Sequence, residues 1–214
     1  NAARAWAEDR FGTQLVPVDA PDVDEEGKPT GTTHRVERDE GLRETTLEKL
    51  ATLKPVARPD GVHTAGTSSQ ISDGAAAVLL MTREKADALG LTPRARIVDQ
   101  TTVGVDPVIM LTGPIPATQK ILERNRMTIG DIDLIEINEA FAAQVLADGN
   151  ELGFNWDRVN VNGGAIALGH PIGASGARVL TTLLYELRRR GGGKGLATLC
   201  LGGGGAVAMA IETV

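Results

Sequence analysis

From residue 75 onward, short apolar runs of strand length alternate with longer segments of helical spacing. Small polar residues precede several of the helical segments, and glycines or prolines end them, as is usual at helix boundaries. The last two apolar runs, 195–199 and 206–211, are separated by a glycine-rich turn and predict a hairpin. This order indicates an α/β fold, with a mixed sheet covered by helices on both faces.

The individual elements follow from residue type and periodicity. Strands are predicted at 75–81, 95–102, 133–137, 159–162, 195–199 and 206–211, and the last five of these predict a mixed five-stranded sheet. Helices are predicted at 1–12, 46–54, 83–89, 117–125, 139–152 and 174–190. Residues 19–40 are crowded with charge, proline and glycine, and this composition predicts a solvated loop.

Composition narrows the classes of function. The single cysteine, Cys200, allows no internal disulfide, so we expect a reducing, cytoplasmic compartment. A formal net charge of −6 disfavours a nucleic-acid partner, and the apolar runs are too short to cross a membrane. One cysteine and three histidines show no recognised metal-ligand spacing, so no metal is expected.

Three polar residues stand at or near the ends of predicted strands. Asn138 follows the strand at 133–137, His170 lies in a glycine-rich turn before the last helix, and Cys200 precedes four glycines. Ligands of open α/β sheets gather at such junctions. An imidazole can take a thiol proton or donate to an oxyanion, and a thiol can act as acid, base or nucleophile. We therefore expect the three groups to converge on one pocket for acyl-transfer chemistry.

Each of these residues also has a purely structural interpretation. Asn138 is a favoured residue for capping the following helix, and a histidine in a turn is often structural. A buried cysteine is commonly an inert core residue. Against the last interpretation, four glycines are poor packing partners in a hairpin unless a ligand approaches closely.

Three segments of the chain, 138–142, 163–178 and 200–205, resemble signatures of the thiolases. This family includes acetyl-CoA acetyltransferases and 3-ketoacyl-CoA thiolases, and the resemblance covers essentially the whole chain. It implies a five-layer αβαβα fold of two similar halves with an inserted loop domain. By that resemblance, residues 1–63 are the tail of the loop domain, 64–90 the last strand and helix of the N-terminal half, and 91–214 the C-terminal domain.

The resemblance also implies a separate chemical role for each of these residues. His170 would activate a nucleophilic cysteine and, with a water held by Asn138, bind the thioester oxygen. Cys200 matches the family's acid/base cysteine, and the N–H of Gly202 matches part of a second oxyanion hole. The nucleophile belongs to the N-terminal half, most of which is expected to be missing from this chain, so these residues alone should be inactive and require that half.

Further residues match the walls of the substrate site. Ser69 and Ala65 match positions beside the pantetheine arm of coenzyme A, Phe141 and Met110 match the acyl pocket, and Arg43 matches the nucleotide end. Coenzyme A, acetyl-CoA and acyl-CoA are implied as substrates, with no cofactor. Assembly as a homodimer or homotetramer follows from the family alone.

The substrate is less closely defined. Residues 64–70 read Thr-Ala-Gly-Thr-Ser-Ser-Gln, where thiolases often have Thr-Ala-Gly-Asn-Ala-Ser-Gly, and Leu111 follows Met110. Both departures favour a degradative 3-ketoacyl-CoA thiolase of fatty-acid β-oxidation. The alternatives are a biosynthetic acetoacetyl-CoA thiolase, or an inactive fragment or assembly subunit of such an enzyme. A decarboxylating condensing enzyme is disfavoured, because a second histidine is expected there in place of Cys200.

Overall fold

The computed structural model describes residues 1–214. Its helices are α1 (Ala2–Ala7), α2 (Leu47–Ala51), α3 (Arg83–Ala88), α4 (Pro114–Arg124), α5 (Ala142–Leu152), α6 (Ala165–Leu168) and α7 (Ser175–Arg189). Its strands are β1 (Val18–Val23), β2 (Pro29–Val36), β3 (Ala95–Gly104), β4 (Leu134–Ile137), β5 (Lys194–Cys200) and β6 (Gly205–Thr213). None of the helices has the length and apolar character needed to cross a membrane.

The main sheet has four strands in the order β3-β6-β5-β4. β4 runs parallel to β5, whereas β6 is antiparallel to both of its neighbours, so the predicted mixed sheet and terminal hairpin are confirmed. The predicted fifth strand at 159–162 is wrong. There, Val159 forms only a single bridge to Ile135.

The side chain of Asn160 explains why this fifth strand does not continue. Its backbone has a φ of +44°, which takes the chain out of the extended conformation. Its Oδ1 accepts from the Ile137 N–H at 2.9 Å, and its Nδ2 donates to the Ile137 carbonyl at 2.9 Å. The carboxamide therefore provides the two hydrogen bonds that a fifth strand would have offered to the edge of β4.

Replacing Asn160 should lower the free energy of unfolding. Asn160→Ala leaves two buried backbone groups unpaired and keeps a strained left-handed backbone, so we expect a loss of about 2–5 kcal/mol. Asn160→Gly is the matched variant, because it loses the same hydrogen bonds without the strain and should be less destabilised by about 1 kcal/mol. Urea unfolding would measure both, and wild-type stability in both variants would contradict this account.

Helices cover both faces of the sheet, as predicted. On one face, apolar residues of α4 and α5 pack against alternate residues of β4, β5 and β6, namely Ala117, Ile121, Val145, Ile135, Ile137, Leu196, Ala206, Ala208 and Ala210. On the other face, α7 packs against the intervening residues, in a cluster of Val179, Leu183, Leu187, Leu134, Ala197, Leu199, Ile211 and Val161. The buried residues of α7 recur every three or four positions, which is the helical period that predicted it.

The prediction of a solvated loop at residues 19–40 is wrong, because β1 and β2 form an antiparallel hairpin there. The turn is built by Asp24, whose Oδ1 accepts from the N–H groups of Glu26 and Lys28 at 2.9 Å each. Gly27 supplies the positive φ of +78° that the turn requires. The charged residues that indicated a loop are exposed on this hairpin instead.

The segment 75–81 also differs from its prediction as a buried strand. It belongs to no sheet, and its large apolar side chains are exposed, with Leu79 at 77% and Leu80 at 62%. A strand needs hydrogen-bonding neighbours, and none of the 214 residues pairs with this segment. Exposed apolar runs of this kind are typical of surfaces that associate with other molecules.

Glu136 is a carboxyl group buried inside the sheet, on the face that α7 covers. Burial raises its pKa to about 8; Arg178 opposes the rise, and Glu139 and Glu186 add to it. The folded protein therefore holds this proton more tightly than the unfolded chain does, and stability falls as pH rises towards about 8.

This shift predicts a pH-dependent free energy of unfolding between pH 6.5 and 8. In this window stability should decline by about 1 kcal/mol per pH unit, more gently as pH reaches 8, and Glu136→Gln should abolish the decline. Asp148→Asn is the control, because burial raises the pKa of Asp148 only to about 6, below the window. Unfolding titrations at several pH values would test this, and a decline that persists in Glu136→Gln would contradict it.

Candidate active site

Three strands end at the same edge of the main sheet, the one formed by the carboxyl ends of β3, β4 and β5. β4 ends at Ile137, which lies opposite Thr198 of the parallel strand β5. β5 ends at Cys200, opposite Ala206 near the start of β6, and β3 ends opposite Gly205. The residues that follow β4 and end β5 therefore share an edge, as expected for a parallel pair in an α/β sheet.

Asn138 lies one residue beyond β4 and is almost fully buried. It does not cap the following helix, because α5 begins four residues later with Phe141 at its N-cap position. Its main-chain N–H donates to the Thr198 carbonyl at 3.0 Å. Its side-chain Nδ2 lies 3.3 Å from Nε2 of His170, while Oδ1 has no protein partner. The sheet thus fixes the main chain of Asn138, and its buried carboxamide contacts the imidazole.

His170 is held from both sides of its ring. Its main-chain N–H donates to the Gln70 carbonyl at 2.7 Å, and Nδ1 lies 2.6 Å from Oγ of Ser175. Burial lowers the pKa of His170, and the nearby positive charge of Arg178 lowers it further. The ring is therefore neutral at pH 7, which is the state a proton acceptor needs.

Cys200 is a half-buried free thiol at the end of β5. Burial raises the pKa of Cys200, and the negative charge of Asp148 on α5 raises it further. Asp148 is itself buried and accepts from Nε2 of Gln144 at 2.7 Å. Cys200 is therefore a protonated thiol at neutral pH, which is the state a proton donor needs.

The glycine run after Cys200 forms an open turn. Gly202 is exposed, so its N–H can be approached from solvent. Gly204 has a φ of +90°, and a Cβ there would lie 2.5 Å from the Val105 carbonyl oxygen. This close approach requires glycine, and it joins the turn to the loop that follows β3.

Residues 68–71 connect two parts of this edge. Ser68 forms a bridge with Phe141, and the Ser69 N–H donates to the Ala140 carbonyl at 3.0 Å. Two residues later, Ile71 bridges to His170. The structure therefore places Ser69 and Phe141 side by side, next to the segment that carries the imidazole.

The remaining predicted site residues lie further out. Ala65 is exposed in a short 3₁₀ turn, and Arg43 is exposed two residues after Gly41, whose carbonyl accepts from Gln70. Met110 is half-buried with a φ of +39°, on the loop that approaches the glycine turn. These three residues border the edge without touching Asn138 or His170 through a hydrogen bond.

Two cavities, of about 200 and 270 Å³, lie at the other end of the sheet. They share Arg158, and the residues around them include Asp133 and Leu134 at the start of β4. Neither is lined by Asn138, His170 or Cys200. These two cavities are therefore separate from the three groups, and Phe141 and Gly202 near those groups are exposed.

Sequence reasoning missed three residues that surround these groups: Ser175, Arg178 and Asp148. Ser175 and Arg178 lie in the segment that carries His170, and their positions five and eight residues after it could have drawn attention. Asp148 carries no such signal, because its proximity to Cys200 arises only from the packing of α5 against the sheet.

Two family models together match most of the chain. The model described as "Thiolase, C-terminal domain" matches residues 91–213, and "Thiolase, N-terminal domain" matches residues 1–84. We expected most of the N-terminal half to be missing. Because the N-terminal domain model matches residues 1–84, this expectation is not confirmed.

The chain is similar to acetyl-CoA acetyltransferases of Shinella zoogloeoides and Chromobacterium violaceum. The first is 57% identical over 84% of this chain and 46% of its own length, and the second 52% identical over 99% and 53%. The chain therefore spans about half the length of the curated relatives it matches.

Solved structures give the same picture. The acetyl-CoA acetyltransferase of Bacillus anthracis matches the whole chain and 52% of its own length, with a TM-score of 0.93 and 47% identity. Human mitochondrial 3-ketoacyl-CoA thiolase matches the whole chain and 52% of its own length, with a TM-score of 0.88 and 37% identity. A structure of the human enzyme in complex with CoA matches with a TM-score of 0.87 and 35% identity, covering the whole chain and 51% of its own length.

Proposed function

Because this chain belongs to the thiolase family, we propose that the protein transfers acyl groups between coenzyme A thioesters. The reaction is thiolysis of a 3-ketoacyl-CoA and its reverse, the Claisen condensation with acetyl-CoA. One observation carries this proposal: a buried amide touches a neutral imidazole at the same sheet edge where the neighbouring strand ends in a protonated thiol.

The nucleophile of the proposed reaction lies outside these 214 residues. Cys200 is the single cysteine here, and its raised pKa suits an acid better than a nucleophile. A second thiol, from the N-terminal half of a thiolase, would form the acyl-cysteine intermediate. His170 takes the proton of that thiol, and the resulting thiolate attacks the keto carbon.

Asn138 and His170 then stabilise negative charge. Charge develops on a thioester oxygen when the acetyl-CoA enolate forms, and donors fixed beforehand lower the barrier. The sheet holds the main chain of Asn138, and its buried carboxamide lies beside the imidazole before the charge appears. The exposed N–H of Gly202 is proposed to serve the acyl-enzyme carbonyl in the same manner.

Cys200 transfers the proton to and from the α-carbon of acetyl-CoA. In thiolysis the bond between the α-carbon and the keto carbon breaks, and its electron pair forms the enolate of acetyl-CoA. The Cys200 thiol protonates that enolate, and the thiolate left behind accepts the proton of the incoming coenzyme A thiol. Condensation reverses these steps, with the Cys200 thiolate removing the α-proton of acetyl-CoA.

The substrate approaches along residues 68–71, which lie beside Phe141. We propose that Ser69 and Ala65 contact the pantetheine arm, that Phe141 and Met110 wall the acyl group, and that the exposed Arg43 meets the nucleotide end. The CoA complex of the human mitochondrial neighbour supports coenzyme A as the ligand class.

The exposed apolar run at 75–81 supports the proposed domain division. Residues 64–90 would belong to the N-terminal half and 91–214 to the C-terminal domain, with 1–63 in the loop domain. The side chains of Leu79 and Leu80 would then be covered by strands of the N-terminal half, which are outside the described chain.

Thiolysis of a chain-length series of 3-ketoacyl-CoAs by the native protein tests the function and its substrate. We propose that bulkier 3-ketoacyl groups are cleaved, in keeping with residues 64–70 and Leu111. The acetyl-CoA acetyltransferases among the relatives favour the alternative, turnover confined to acetoacetyl-CoA. Failure to cleave or condense any member of the series would overturn the proposal.

A non-catalytic role is the competing proposal of a different class. The chain would then be an assembly subunit or a processed piece, as its single cysteine allows. Intact-mass measurement of the native protein separates the two, because a mass about twice that of this chain supports the enzyme. A decarboxylating condensing activity is disfavoured by Cys200 and would be detected as release of CO₂ from malonyl thioesters.

A further inference from the structure

We infer that Ser175 is a positioning residue that fixes the tautomer of His170, with the ring proton on Nδ1 and the lone pair on Nε2. The catalytic meaning of this inference depends on the proposed function, whereas the tautomer itself does not. Ser175 touches neither the proposed substrate nor a reacting atom, so it acts through the imidazole.

The hydrogen bonds of Ser175 determine the proton on Nδ1. Ser175 is the first residue of α7 and is fully buried. Its Oγ lies 3.0 Å from the Pro171 carbonyl, which can only accept, so the hydroxyl donates its one proton there. The same Oγ lies 2.6 Å from Nδ1 of His170 and is left to accept. Nδ1 must therefore carry a proton.

A second hydrogen bond requires the same tautomer. The Nδ2 group of Asn138 lies 3.3 Å from Nε2, and a carboxamide nitrogen can only donate. Nε2 must therefore accept, which excludes a proton there in the neutral ring. Arg178 is the charged group that acts on the imidazole, and its positive charge disfavours a second ring proton. The two hydrogen bonds come from different parts of the chain, and both place the ring proton on Nδ1.

This arrangement lets one imidazole serve two steps without turning. Nε2 takes the proton of the nucleophilic thiol when that thiol replaces Asn138 as its donor, and Ser175 keeps its bond to the Nδ1–H throughout. Once protonated, Nε2 becomes a donor at the same place, where the thioester oxygen would lie. A ring held in the opposite tautomer would present N–H first and could not accept that proton.

Nitrogen-15 NMR of the imidazole rings in the native protein tests the tautomer directly. The chain has three histidines, and the signals of His170 are those lost in His170→Gln. At a pH where the ring is neutral, we expect Nδ1 to show a protonated, pyrrole-type shift and Nε2 an unprotonated, pyridine-type shift. The reverse assignment, or averaging between the two tautomers, would overturn the inference.

Two variants then test whether Ser175 is the cause. Ser175→Ala should mix the tautomers and lower kcat of the native enzyme roughly 10-fold to 100-fold, the loss typical when a hydrogen-bond partner of a metal-ligating histidine is removed. Ser175→Thr retains the hydroxyl and should restore the wild-type NMR pattern.

Thr181→Val is the matched control for these variants. Thr181 lies on the same helix, and its hydroxyl also donates to a carbonyl four residues earlier, at 2.8 Å, without touching a histidine. Equal losses of kcat in Ser175→Ala and Thr181→Val would show a general effect on α7 and refute positioning. The predicted tautomer in a protein without thiolase activity would refute the proposed function and leave the tautomer established.

Discussion

Cys200→Ser in the native protein is expected to lower kcat for thiolysis and condensation by about 10²-fold to 10⁴-fold. A serine hydroxyl is a far weaker acid than a thiol, so it cannot deliver a proton to the enolate or remove one from acetyl-CoA. Acylation of the nucleophilic cysteine by acetyl-CoA moves no carbon-bound proton. It should therefore remain detectable by intact mass and by exchange of labelled coenzyme A.

This separation of steps makes the experiment specific to the proposed role. Leu201→Ala is the control, because Leu201 is the exposed neighbour of Cys200 and has no proposed role. It should retain activity if the turn is undisturbed. Full turnover by Cys200→Ser would refute the acid/base assignment, and loss of acylation in that variant would place Cys200 in a different step.

His170→Gln is expected to show the complementary defect. Without the imidazole, the nucleophilic thiol keeps its proton, so acylation by acetyl-CoA should fall together with overall turnover, by about 10²-fold to 10⁴-fold. Because burial and Arg178 lower the pKa of His170, the wild-type rate should decline only at a pH below the ordinary value of 6.5. This acidic limb should disappear from the residual activity of the variant.

Ile172→Ala provides the control for His170, since Ile172 is two residues away and 71% exposed. Exchange of labelled coenzyme A with acetyl-CoA, measured across pH, reports the acylation step alone. If His170→Gln exchanges labelled coenzyme A at the wild-type rate, the imidazole does not activate the nucleophile. An unchanged acidic limb would assign that titration to another group.

Local chemistry was sufficient to predict most of the main sheet and its helices. α7 has a strict helical stripe ended by three glycines, and the last two strands are joined through glycines, so both could be predicted from neighbouring residues alone. The prediction at 159–162 failed because the side chain of Asn160 competes with a strand for the edge of β4. Such competition depends on a partner more than twenty residues away.

Two other errors have the same physical origin. The run 75–81 has strand-like composition, yet a strand exists only through its neighbours, and none of the described residues pairs with it. The charged segment at 19–40 has loop-like composition, yet its two halves provide neighbours for each other once Asp24 closes the turn. Composition describes the preference of a segment, whereas hydrogen-bond pairing decides its state.

The candidate site could also be predicted only in part from the sequence. Asn138, His170 and Cys200 could be selected from the chain because glycines and strand ends mark them, and parallel strands bring such ends to one edge. The protonation states depend on distances and burial: the Ser175 contact that fixes the imidazole, and the packing that brings Asp148 near Cys200.

The amino-acid sequence by itself determined the layered α/β architecture, the family and the residue types available for acyl transfer. These properties follow from periodicity and short motifs, which are local. Only the tertiary structure decided which nitrogen of His170 holds the proton, why the thiol of Cys200 stays protonated, and why β4 needs no fifth strand. Each of these depends on the electrostatic environment or the hydrogen bonds between groups that are far apart in the chain and meet only on folding.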